Sequence, residues 1–173
     1  ARFGSRAPAG VTTWHDEHAG FVRGALSAAP ESADEAPSSA GGKLALSFDG
    51  RLDNRAELIA ALRARADASD ERLILLAYAA WGDATAERLR GDFAFVIWDG
   101  RRRRLFCARD QFGLKPFYWA CVGSCLVVSN SLNCLRLHPV VSERLDDTVM
   151  ADLLVLGYNP DLTTTVFDDI KRL

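Results

Sequence analysis

The sequence contains no apolar run long enough to cross a bilayer, and no signal-peptide pattern opens it. Neither sign of charge prevails: 21 Lys and Arg stand against 23 Asp and Glu, for a net charge of -2. A chain so balanced has no general attraction to nucleic acid or to an anionic membrane, so neither is expected as a partner. No internal repeat and no low-complexity segment interrupts it. Cysteine is missing from the first half and occurs only at Cys107, Cys121, Cys125 and Cys134, among apolar neighbours. The Cys121-x-x-x-Cys125 spacing lacks the second close pair or the nearby histidines of a zinc site, so reduced, buried thiols of a cytoplasmic protein are expected instead. His15 and His18 share a charged turn without a placed third ligand, and read as solvated; no metal site is expected. What remains is ordinary for one globular domain: 173 residues, 49% hydrophobic and 25% charged, enough to bury a core.

Taken in order, residues 1–10 read as a loop, residues 11–14 and 19–28 as two strands around the polar turn His15-Asp16-Glu17-His18, and residues 29–42 as a surface loop rich in Ala, Ser, Pro and Glu. Leu44, Leu46 and Phe48 alternate within a strand over 43–49 that ends at Asp49-Gly50. Asn54 is placed to cap a helix over 55–65 with Leu58, Ile59 and Leu62 as its apolar stripe. Asp70 opens a second helix over 71–81, with Leu73, Ile74, Leu76, Ala77 and Ala80 inward. A short helix over 84–90 feeds the segment on which the rest depends. There Phe93, Phe95 and Ile97 alternate with Ala94, Val96 and Trp98, so the strand is apolar, and therefore buried, on both faces. Asp99-Gly100 supplies a turn with positive φ, Arg101 to Arg104 cross its solvated end, and residues 105–108 return to the interior. Arg109-Asp110 reads as a structural ion pair or an anchor for neighbouring loops. A second hairpin turns at Gly123-Ser124, helices follow over 131–137 and 147–156, and 158–173 is extended and loop-like. Strands joined by hairpins, with helices outside them, make an α+β protein with antiparallel sheets.

The run Leu89-Arg90-Gly91-Asp92-Phe93-Ala94-Phe95-Val96-Ile97-Trp98-Asp99, then the arginines, then Leu105-Phe106-Cys107-Ala108-Arg109-Asp110-Gln111-Phe112-Gly113-Leu114-Lys115-Pro116-Phe117-Tyr118, resembles the centre of the glutaminase domain of the asparagine synthetase family, the class II, N-terminal-nucleophile glutamine amidotransferases. The resemblance implies a four-layer αββα sandwich of two antiparallel sheets. It makes residues 1–157 a type 2 glutamine amidotransferase-like domain lacking its N-terminal strand and nucleophile. Residues 158–173 become the connection toward an absent ATP-dependent synthetase domain. Ser5-Arg6-Ala7-Pro8-Ala9-Gly10 is similar to a His-Arg-Gly-Pro-Asp-Gly loop that the family carries inside its first domain.

Glutamine hydrolysis in that family uses an N-terminal cysteine, and Ala1 and four internal cysteines offer none, so no catalytic residue is assigned. Asp49-Gly50 matches the family's oxyanion-hole Asn-Gly, with a carboxylate where an amide N–H would face the developing charge; the residues alone also allow a plain turn. Asp70 matches the carboxylate that binds the substrate α-ammonium, and equally a helix-start acid. Arg23 lies one or two positions from the arginine that holds the substrate carboxylate, and a one-residue slip on a strand reverses its face. The resemblance thus implies a degenerate glutaminase-like domain of a homologue that adenylates a carboxylate with ATP and magnesium in its second domain, such as a lasso-peptide macrolactam cyclase. Within this chain no cofactor is expected, and its partners are the synthetase domain, a peptide substrate or a second copy. The alternatives are the truncated domain of a working glutamine-hydrolysing synthetase, and a free-standing structural or protein-binding module.

Overall fold

The computed structural model describes residues 11–24 and 44–173; the expectations for 1–10, 25–28 and the loop over 29–42 lie outside the described residues. The chain divides into two compact units, one ending at Ala108 and the other running from Arg109 to Leu173. The architecture is α+β with antiparallel sheets.

The first unit opens with a two-stranded hairpin, β1 (Val11–His15) and β2 (Gly20–Gly24), in which Trp14 pairs with and stacks on Phe21. Asp16 closes the turn by accepting the backbone N–H groups of His18 and Ala19, both at 2.7 Å, and also the Trp98 indole N–H at 2.6 Å. These donors, His18 N–H foremost, hold the Asp16 carboxyl below its ordinary value. A three-stranded sheet follows, ordered β3 (Leu44–Leu52), β4 (Gly91–Asp99) and β5 (Arg104–Arg109). Strand β3 runs on through Asp49-Gly50 to Leu52, so these two residues lie within the ladder and not in a turn.

Cross-strand partners share a face of the sheet. On one face Leu46 pairs with Ile97 and Phe48 with Phe95; these pack with Leu58, Leu73, Ile74 and Tyr78 of the helices into the main core. On the other face Ala45 pairs with Trp98, Ser47 with Val96 and Asp49 with Ala94. Since Ala94, Val96 and Trp98 are buried as well, β4 is covered on both sides, as its two-sided apolar sequence demands. The β4–β5 loop departs from the expected turn. Its left-handed residue is Arg103, not Gly100, and Asp99 organises it by accepting the N–H groups of Arg101 and Arg102. Four residues between the strands give a loop around an Asx turn in place of a two-residue one. The arginines there are exposed, Arg102 facing Asp99 and Arg104 paired with Asp83 at 3.0 Å.

Helix α1 (Arg55–Leu62) stops earlier than its composition suggests, because Arg63 turns left-handed and its N–H bonds back to Ala60 and Ile59. Asn54 precedes it without capping it; the side chain instead donates to Arg88 O and accepts from Arg90 N–H, tying the start of α1 to the entry of β4. Helix α2 (Asp70–Trp81) is capped by Ser69, whose hydroxyl accepts Arg72 N–H, so Asp70 is not the cap. Its buried side is Leu73, Ile74, Leu75, Ala77 and Tyr78, while Ala80 faces solvent. A 3-10 turn (Gly82–Ala84) and helix α3 (Thr85–Arg88) then lead into β4.

The second unit holds a sheet ordered β7 (Cys125–Ser129), β6 (Tyr118–Val122) and β8 (Lys171–Arg172), with helices α4 (Leu132–Leu135) and α5 (Asp147–Leu156). The C-terminal stretch is therefore not wholly loop: β8 adds a third strand to the hairpin that turns at Gly123. Ala120, Leu135, Val141 and Ile170 form its core. The Arg109-Asp110 motif acts as a loop anchor. Asp110 is buried and accepts the N–H groups of Phe112, Leu114 and Lys115, while Arg109 donates to Gly113 O and Leu173 O. Gly113 is left-handed, and a Cβ there would lie 1.5 Å from the Arg109 guanidinium. Asp110→Ala is expected to lower stability by about 2 kcal/mol in a urea melt, since three backbone donors lose a charged acceptor together; Asp110→Asn, keeping one acceptor oxygen, should lose less.

Candidate functional site

The residues singled out in the sequence converge on the end of β3 and the start of α2. Asp70, the first residue of α2, accepts Leu52 N–H at 2.9 Å through one carboxylate oxygen and the Arg55 guanidinium through the other. Leu52 lies three residues beyond Asp49 on the same strand, so Asp70 is fastened to the strand end that carries Asp49-Gly50. Arg55 is fixed in turn by donating to Ala68 O at 2.6 Å. On β2, Arg23 shares its face with the buried Phe21, two residues away, while Val22 between them points to solvent. Its guanidinium donates to Glu71 at 3.0 Å, and Glu71 is the residue after Asp70. The structure thus ties Arg23 to the first turn of α2 through Glu71 and ties Asp70 to the end of β3 through Leu52.

Asp49 is half-buried and faces away from the helices, on the side of Ser47 and Ala45. Gly50 has φ 147, and a Cβ on it would meet Asp92 O at 2.1 Å and the Phe93 Cα at 2.7 Å. Gly91, near the start of the partner strand, has φ 141, and a Cβ there would meet Arg51 O at 2.2 Å. Both glycines are required by the same close approach of two backbones, a reason stronger than turn formation.

Nothing in the local sequence marks Arg55 or Glu71 as the partners of Asp70 and Arg23. Their partners lie 15 and 48 residues away, beyond the reach of any local pattern. One signal was available for Arg55: a cation at the first residue of a helix opposes the helix dipole and needs a partner from elsewhere.

The cysteines do not form a second site. Cys125 pairs across the hairpin with Val122 and so shares its face, whereas Cys121, the neighbour of Val122, points to the other face. Both are exposed, contrary to the expectation of buried thiols, because they flank the exposed Gly123-Ser124 turn at the ends of β6 and β7. Cys107, on β5, is half-buried, and burial pushes its thiol up to about 11. Among the described residues no three His, Cys, Asp or Glu side chains are grouped to hold a metal ion, and no helix is long and apolar enough to cross a membrane. Alkylation followed by peptide mass spectrometry at pH 8 should label Cys121 and Cys125 rapidly. Cys107 should react at least tenfold more slowly, gaining rate only as pH climbs toward its raised value, because the thiolate is the nucleophile.

The model of the glutamine amidotransferase domain matches residues 1–173. Asparagine synthetase [glutamine-hydrolyzing] 3 of Bacillus subtilis (strain 168) is 29% identical, over 97% of this chain and 28% of its own length. A putative asparagine synthetase [glutamine-hydrolyzing] of Mycobacterium bovis is 35% identical, over 79% of this chain and 22% of its own. The chain therefore spans about a quarter of the length of these relatives. Among solved structures, the glutamine phosphoribosylpyrophosphate amidotransferase from B. subtilis superposes with a TM-score of 0.52 at 22% identity, over 68% of this chain and 28% of that one. At that identity the likeness speaks for the fold alone, an N-terminal-nucleophile amidotransferase fold.

Proposed function

The chain belongs to the glutamine amidotransferase domain family, and on that premise we propose that it is a catalytically degenerate glutaminase-like domain of an asparagine synthetase homologue. The parent protein forms amide bonds by ATP-dependent adenylation of a carboxylate, for example in closing the macrolactam ring of a lasso peptide. ATP and magnesium act in its second domain, which is this chain's partner in the cytoplasm. No step in this domain requires them.

The observation that carries the reading is the state of the charges that a free amino acid would need. The carboxylate suited to an α-ammonium, Asp70, has its oxygens on Leu52 N–H and Arg55. The guanidinium nearest to an α-carboxylate anchor, Arg23, is paired with Glu71. At the position that matches the family's oxyanion-hole Asn-Gly, Asp49 carries a carboxylate on the residue before Gly50, where a developing negative charge needs donors. Loss of one such donor costs about 3 kcal/mol of transition-state stabilisation, and a like charge opposes the reaction further.

A second reading, a working glutaminase domain of a glutamine-hydrolysing synthetase, draws support from the names of the relatives. Asp49→Asn separates the two when introduced into a protein carrying the family's N-terminal cysteine. On the degenerate reading, ammonia release from L-glutamine rises about 100-fold or more with the substitution. On the other reading, release is already saturable before it and changes little.

A further inference from the structure

We propose that the outer face of α5 docks a helical segment of a second protein, apolar along one stripe and bordered by Lys or Arg. Val149, Met150 and Leu153 form the side of α5 that turns into its own unit, Val149 buried and the other two half-buried. Asp147, Ala151, Leu154 and Val155 are spaced i, i+4, i+7 and i+8, and so make up the opposite stripe, exposed along its length. The outward stripe of a surface helix is ordinarily polar, yet here Leu154 is 83% and Val155 80% exposed. Leu156 at the helix end, and Tyr158 and Leu162 in the chain that follows, are exposed as well. Isolated apolar residues on a surface need no partner, whereas a run of them along one helix end marks a contact site.

The charge around this face selects what covers it. Between Arg144 and Lys171 the chain has no Lys, Arg or His, and six aspartates. Four of these are engaged locally: Asp146 caps α5, Asp161 accepts Thr163 N–H, Asp168 pairs with Arg144 and Asp169 accepts Ser142 N–H. The other two, Asp147 and Asp152, lie on α5 itself and have no ionic partner among the described residues. Nor does the last turn of α5 carry a basic residue to meet the negative end of the helix dipole. The stripe is thus apolar in its second half with negative charge toward both ends, and its complement is apolar side chains flanked by cations. The same charges disfavour a second copy of α5. Packed antiparallel about Ala151, each Asp147 would meet the other helix's C-terminal carbonyls; packed parallel, Asp147 would meet Asp147. Ala151, small and in the middle of the stripe, lets an incoming helix come close.

The test titrates into the chain a helical peptide with Leu at i, i+3, i+4 and i+7 and Lys at the flanking positions, following the amide resonances of α5. A peptide with Glu in place of each Lys is the control. The expected result is saturable binding of the Lys peptide that shifts Leu154 and Val155 and weakens as salt is raised. Affinity should fall at least tenfold for the Glu peptide, and equally in the double variant Leu154→Ser, Val155→Ser. Both replaced side chains are largely exposed, so the variant keeps its fold, which its amide spectrum checks. Absence of binding, equal binding of the two peptides, or binding that the variant leaves intact would overturn the proposal. Light scattering that shows the wild-type chain pairing with itself, and the variant not, would overturn it in favour of a second copy. A parent protein in which Leu154 and Val155 are already protected and the Lys peptide does not bind would overturn it too, assigning the face to the parent's own fold.

Discussion

Phe95→Ala is expected to lower the stability of the chain by about 3 to 5 kcal/mol. The side chain is 1% exposed at the middle of β4, the central strand of the first sheet. It contacts Phe93 and Phe106 ring to ring and pairs across the ladder with Phe48. Truncation removes the apolar surface of a whole ring. It also leaves a cavity that cannot collapse easily, because the opposite face of the same strand is closed by buried Ala94 and Val96. A urea melt of wild type and variant checks it: the midpoint falls with an unchanged slope if the strand is central to one cooperative unit. A loss under about 1 kcal/mol would place the strand at the margin of the core.

Gly50→Ala is expected to cost about 3 kcal/mol. The residue sits at φ 147, a conformation that alanine tolerates poorly. The added carbon would stand 2.1 Å from Asp92 O, a backbone atom of the strand on which the core is built. Relief requires β3 and β4 to separate at the end that carries Asp49 and receives Asp70 through Leu52. The measurement is the same melt, joined by amide exchange at Leu52, whose protection should fall in step with the bond to Asp70. Unchanged stability would mean that the two backbones lie farther apart than described.

Much of the fold was legible because local pattern and tertiary role agree in this chain. The two-sided apolar run of β4 could only be a doubly covered strand, and α5 begins and ends as its Asp146 cap and Gly157 stop dictate. Where local signals were read too literally, the structure differs for identifiable reasons. Asp-Gly at 49–50 carries the signature of a turn, yet the glycine serves a close approach of two strands within a ladder. Asn54 has the residue type and place of a cap, but Arg88 and Arg90, more than thirty residues on, offer its amide a better set of partners. The candidate site was legible in part. Asp70 and Arg23 stood out by position, whereas the ion pairs that engage them, through Arg55 and Glu71, arise only when β2, β3 and the two helices meet. A pairing between residues 48 apart leaves no trace in the spacing of either.

The most direct test of the account is ammonia release from L-glutamine, measured over a substrate series with the protein carrying the family's N-terminal cysteine and with a no-protein control. The degenerate reading predicts release indistinguishable from the control at every concentration, with Asp49, Asp70 and Arg23 as described. Saturable release that scales with protein concentration would contradict it, and would identify the domain as a working glutaminase.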